Sequence, residues 1–143
     1  MVRDITLRKN AEQQLVESEE RYRAAIEYSN DGVSIVRGGR HIYVNRRFLE
    51  IYGYDKPEEA LVKGLDLTIH PDDRHMVVER NRRRERGERV TPKYEFKGIR
   101  KDGTIVYIEI YTARITFHGE PATLAYNRDI TKRKVLEEKL QAI

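Results

Sequence analysis

At 143 residues the chain has room for one ordinary domain, and its 38% hydrophobic content suffices for a single core. The charged fraction is 36%, yet 28 basic against 24 acidic residues leave a net charge of only +4, which argues against a dedicated polyanion binder. There is no cysteine, so disulfides, thiolate zinc sites and a cysteine nucleophile are excluded. No apolar run nears the roughly 20 residues that cross a bilayer. Met1 is followed by Val-Arg-Asp and no hydrophobic export segment, and the expectation is a soluble, cytoplasmic module.

The first element in chain order is a repeated one. Arg3-Asp4-Ile5-Thr6-Leu7-Arg8-Lys9 recurs as Arg128-Asp129-Ile130-Thr131-Lys132-Arg133-Lys134, 125 positions later, with eight identities over thirteen ungapped positions to Leu15 and Leu140. A period this long is the spacing of whole domains and not of solenoid units. Residues 1–9 therefore read as the tail of a preceding copy, with a strand end giving way to a helix at both places. From Asn10 to about Tyr28 there is no Gly or Pro, and Ala11, Leu15, Ser18, Tyr22 and Ala25 fall on one helical stripe. That stripe can pack on its own domain or on a partner helix.

Asn30-Asp31-Gly32 stops this helix. Val33–Val36 and His41–Val44 form a hairpin around Gly38-Gly39. Asn45 can cap the next helix, whose Phe48, Leu49, Ile51 and Tyr52 make an apolar face ending at Gly53. A short helix is expected over Pro57–Val62, with Pro at its start and acids in its first turn. Another opens at His70-Pro71-Asp72-Asp73 and runs to Gly87, with its apolar residues confined to the first half and its Arg-rich remainder projecting into solvent.

Three strands follow: Lys93–Ile99, Ile105–Ile115 and Ala122–Asp129, with turns at Arg100-Lys101-Asp102-Gly103 and His118-Gly119-Glu120. Alternation directs Tyr94, Phe96, Val106, Ile108, Ile110, Thr112, Ala125 and Asn127 inward, as candidate pocket residues or as a filled core. Tyr107 and Tyr111 lie on the outer face and want cover, for which the helix carrying Leu15 and Tyr22 is the nearest supply. The fold class is α+β: a five-stranded antiparallel sheet with short helices on one face and flanking helices at both ends.

This order resembles the PAS family of sensory domains. The residues that carry the resemblance are Ser18-Glu19-Glu20-Arg21-Tyr22-Arg23, Asp31-Gly32, Asn45-Arg46-Arg47-Phe48 with Gly53-Tyr54, His70-Pro71-Asp72-Asp73, Lys101-Asp102-Gly103-Thr104 and Arg128-Asp129-Ile130-Thr131. The resemblance implies a core over residues 29–130, a flanking helix over 10–28 and the start of a signalling helix over 131–143. It further implies a multi-domain signalling parent, a sensor histidine kinase or otherwise a diguanylate cyclase or phosphodiesterase, with neighbouring PAS and output domains in the same chain. A homodimer through flanking helices, with Leu15, Ser18 and Tyr22 at the contact, and relay through Asp129, Ile130 and Thr131 belong to the same expectation. A spacer or dimerisation module without ligand is the alternative.

Among cofactors of such domains, the flavin–cysteinyl adduct and the coumaric-acid chromophore both need a cysteine and are excluded. The haem register counted from Pro71 falls on Val78, with His75 one turn early, so haem is not expected. A non-covalent ligand stays open. Asn127 occupies the slot where flavin-binding relatives carry a ring-contacting Gln, and a buried Asn must be satisfied by backbone, water or ligand.

Catalysis has little support. Ser18, Ser29 and Ser34 lie beside no His, and there is no Gly-rich phosphate loop or metal-site spacing; His41 and His118 fall at turns or strand starts. The run Arg80–Arg89 could contact nucleic acid, but Glu79, Glu85 and Glu88 interrupt it and no aromatic interleaves, so a solvated helix face with local ion pairs is the expectation.

Overall fold

A computed structural model describes the backbone of residues 2–142 and the side chains of residues 4–142. Met1, Ile143 and the side chain of Arg3, which belong to the expected tail, signalling helix and repeat, lie outside the described residues. The unbroken run of helix formers at the start becomes α1, Val2–Glu27. The first copy of the repeat is thus helical and not a strand end. No strand lies beside it among the described residues, and a backbone without a ladder partner satisfies its own hydrogen bonds as helix.

The hairpin strands β1 (Gly32–Arg37) and β2 (Arg40–Val44) follow, joined through Gly38 and Gly39 at positive φ. The second helix, α2 (Arg46–Tyr52), is held from both ends. Asn45 Oδ1 accepts from Phe48 N at 2.9 Å, the N-cap expected from sequence, and Gly53 closes the C-terminus at φ 80°. Asn45 does more than cap: Oδ1 also accepts from Val33 N, and Nδ2 donates to the Ile26 and Asp31 carbonyls. One buried amide thereby ties the end of α1, the start of β1 and the start of α2 together. Gly32 completes this corner, since a Cβ there would meet the Phe48 backbone at 3.0 Å.

The segment expected as a helix over Pro57–Val62 is a single 3-10 turn, Pro57–Glu59, and a second, unanticipated turn covers Leu65–Thr68. Four residues of 3-10 geometry leave no helical period to detect. Then α3 runs over Pro71–Glu85, opened by Pro71 and by His70, whose Nδ1 accepts from Asp72 N; it stops two residues before Gly87. The long strands are β3 (Lys93–Ile99), β4 (Ile105–Phe117) and β5 (Glu120–Asp129), and α4 spans Thr131–Gln141.

The sheet is five-stranded and antiparallel, in the order β2-β1-β5-β4-β3. Its inner face packs against α2, the two turns and α3 in a core that includes Phe48, Ile51, Tyr52, Ile69, Val77, Phe96, Val106 and Ile108. Each residue assigned inward by alternation is buried there except Tyr94, which is half-buried. The outer face differs from expectation. Tyr111 remains 50% exposed, and Leu15 and Tyr22 are 61% and 71% exposed, so α1 does not cover the sheet. The outer cover near Tyr107 comes from α4, whose Arg133 and Lys134 pair with Glu95. No helix among the described residues is long and apolar enough to cross a membrane.

Candidate functional site

Strand register brings the inner-face residues into rows. Asn127 on β5 lies between Gly32 on β1 and Ile110 on β4, which in turn faces Tyr94 on β3. The next row is Ser34, Ala125 and Thr112, and the one beyond pairs Val36 with Thr123. These rows floor a cavity of about 40 Å³ whose roof comes from Phe48, Leu65, Thr68, Ile69, Val77, Asn81 and Arg84, with His41 at one side. Of the residues selected by alternation, Tyr94, Phe96, Ile110, Thr112, Ala125 and Asn127 line this cavity. Val106 and Ile108 do not; they are fully buried in the solid part of the core, where Gly98 lets Tyr52 and Val106 close over the strand.

Asn127 is satisfied within the protein. Its Nδ2 donates to Gly32 O at 3.0 Å, and its Oδ1 accepts from the Tyr52 hydroxyl at 2.8 Å. Burial pushes the Tyr52 phenol far above its ordinary range, so it stays a neutral donor. The pair ties α2 to the last strand two residues before Asp129.

The junction itself is a compact set of bonds. Asp129 Oδ1 accepts from Thr131 N at 2.9 Å and so caps α4, whose N-cap residue Ile130 has no side chain able to do this. Thr131 Oγ1 accepts from Tyr107 N at 3.0 Å, and Ile130 N donates to Tyr107 O at 2.9 Å. Arg100 joins this junction to α2: its Nε donates to Ile51 O, and its Nη2 lies 3.8 Å from Asp129 Oδ2. Further along α4, Lys134 sits 2.7 Å from Glu95 and holds that carboxyl below its usual range.

Sequence patterning missed the basic wall of the cavity. The second half of α3 does not all project into solvent: Asn81 and Arg84 are buried, and Arg80 stacks 4.2 Å from the centre of the Tyr94 ring. Val77, Asn81 and Arg84 sit four and three residues apart, one helical stripe, but two of the three are polar and carry no hydrophobic signal. On the opposite side Arg82 pairs with Glu79, and Arg83 and Arg86 pair with Glu88, the local ion pairs of a solvated face. His41 was also hidden. It stands at a strand start, yet it is 3% exposed, stacked edge-on to Phe48, and burial lowers its pKa to about 4.

Comparison with known proteins places this geometry among others. Residues 20–88 match the family model of the PAS domain. Sporulation kinase A of Bacillus subtilis is 28% identical over 137 residues, which cover 94% of this chain and 22% of that protein. The methyl sulfide methyltransferase-associated sensor of Methanosarcina acetivorans is 28% identical over 127 residues, 86% of this chain and 12% of that protein. The chain therefore spans a minor part of either relative. Among solved structures, the PAS domain of an HTR-like protein from Haloarcula marismortui superposes with a TM-score of 0.63 at 28% identity, over 85% of this chain and 99% of that one.

Proposed function

The chain belongs to the PAS domain family, and on that premise we propose that it senses a small molecule in the cavity and relays the event through α4 to an output domain. The observation that carries this is the placement of Asn127: one side chain contacts the cavity, bonds α2 through Tyr52, and lies two residues before the Asp129 cap of α4. A ligand that favours one arrangement of Asn127 over another biases the junction by that difference in affinity, and by no more. Ile130 and Thr131 transmit the bias because their bonds to Tyr107 fix where α4 leaves the sheet.

The similarity to Sporulation kinase A supports a sensor histidine kinase as parent, with a cyclic-dinucleotide enzyme as the other output that suits such a module. Catalysis then lies in the output domain and not in this one, and neighbouring modules share its cytoplasmic chain. The exposed stripe of α1, with Leu15 and Tyr22 unburied and Ser18 half-buried beside them, favours a homodimer through the flanking helices. The same stripe supports the second role, dimerisation and spacing without a ligand.

Asn127→Ala and Asp129→Ala in the full-length parent separate the two. Relay predicts that both shift basal output by about tenfold or more while the domain keeps its fold, since about 1.4 kcal/mol at the junction suffices. Unchanged output from both variants leaves only the spacer role.

A further inference from the structure

The relay leaves Arg84 unexplained. Its side chain lines the cavity, is only 8% exposed, and has an Nη2 without a hydrogen-bond partner among the described residues. Its neighbours on α3 find carboxylates, but Arg84 makes no ion pair among the described residues. Tyr94 shares a hydrogen bond with it, yet burial raises that phenol's pKa and keeps it uncharged. A guanidinium does not shed its proton in a protein, and a buried charge without a counter-charge is strongly disfavoured.

His41 lines the same cavity, 3% exposed, and neither of its ring nitrogens has a hydrogen-bond partner among the described residues. One nitrogen of a neutral imidazole is a donor, so the cavity presents a fixed cation and a second N–H. Ser34, Asn81 and Thr123 add polar atoms, while Val36 and Phe48 add apolar wall. A cavity of about 40 Å³ has room for a small polar body of a few heavy atoms.

Resting on the sensory role proposed above, we infer that the cavity binds a small carboxylate of formate or acetate size, held by the Arg84 guanidinium and the imidazole N–H of His41. The parallel N–H groups of arginine match the two oxygens of a carboxylate, which a lysine or a hydroxyl does not. The apolar wall suits a methyl group. A bound carboxylate ties α3 to β2 across the floor that Asn127 shares.

The test is a titration of the isotopically labelled 143-residue chain with sodium acetate, with acetamide and sodium chloride as matched controls, followed by NMR at Arg84 Nε–H and the Asn127 side-chain amide. Acetate is expected to give saturable shifts, and acetamide and chloride none. Arg84→Gln is expected to weaken acetate binding by about 30-fold while keeping a native spectrum. Arg84→Lys, which keeps the charge without the fork, falls between. If Arg84→Gln unfolds, Arg84→Lys and His41→Phe carry the comparison. Non-saturable acetate shifts, acetamide binding as tight as acetate, or unaltered affinity in these variants overturns the carboxylate. None of those results touches the relay, which stands or falls on output from the Asn127 and Asp129 variants.

Discussion

His41 turns its burial into a dependence on pH. Its folded pKa lies near 4 and its ordinary value is 6.5, so between those values the unfolded chain binds the extra proton. The stability that neutral His41 contributes is therefore complete above about pH 6.5 and is lost as pH falls toward 4, about 3 kcal/mol in all. Denaturant titrations of the ligand-free domain should show about 2 kcal/mol more loss between pH 7 and pH 5 in the native chain than in His41→Gln. Equal slopes would mean that the imidazole is not dry. At this scale the sequence was partly legible. Alternation along β4 and β5 put Asn127, Thr112 and Ala125 on the inner face, because a strand has only two faces. It could not show that the Tyr52 hydroxyl meets Asn127, a pairing 75 residues apart in the chain. Nor could it separate Arg84 from the four other arginines of α3, since a charged side chain is buried only where an adjoining cavity and ring receive it.

Among the elements, α1 meets the sheet only at its C-terminal end, and its stripe needs another explanation. A helix of 26 residues with Leu15, Val16 and Tyr22 mostly exposed gains little from packing on its own domain, and packing is what supplies most helical stability in proteins. The proposed pairing with a second α1 along Ala11, Leu15, Ser18, Tyr22 and Ala25 would bury that stripe. Sedimentation equilibrium should then find a dimer that Leu15→Glu with Tyr22→Glu weakens by about tenfold or more. A monomer in the native chain at high concentration would contradict it. The sheet hairpins were readable because Gly38-Gly39 and Asp102-Gly103 have turn chemistry with a backbone cause, as had α2 between Asn45 and Gly53. The 3-10 turns were not, because segments of three and four residues hold no period. The first repeat was misread for a different reason: the same residues form a strand end only where a sheet is present to pair with.

Over the whole molecule, two routes run from α2 to the start of α4. One passes from α2 through Tyr52 to Asn127 and along β5; the other passes from Ile51 O through Arg100 to Asp129. Both converge on the bonds that hold Ile130 and Thr131 to Tyr107. The repeat of Arg-Asp-Ile-Thr drew attention to this junction from sequence alone, and the geometry adds the side chains that connect it to the interior. Physical coupling requires that a change at the cavity end be felt at the helix end. Tyr52→Phe makes such a change with one atom, leaving the Asn127 Oδ1 without its donor while the ring keeps its packing against Phe48. Amide hydrogen exchange on this variant measures the coupling directly. Exchange at Ile130 and Lys134 should rise by about tenfold over the native chain, with amides of the β3–β4 hairpin unchanged. Acceleration confined to α2 and the residues around Asn127, with Ile130 and Lys134 at native rates, would contradict a relay from cavity to helix.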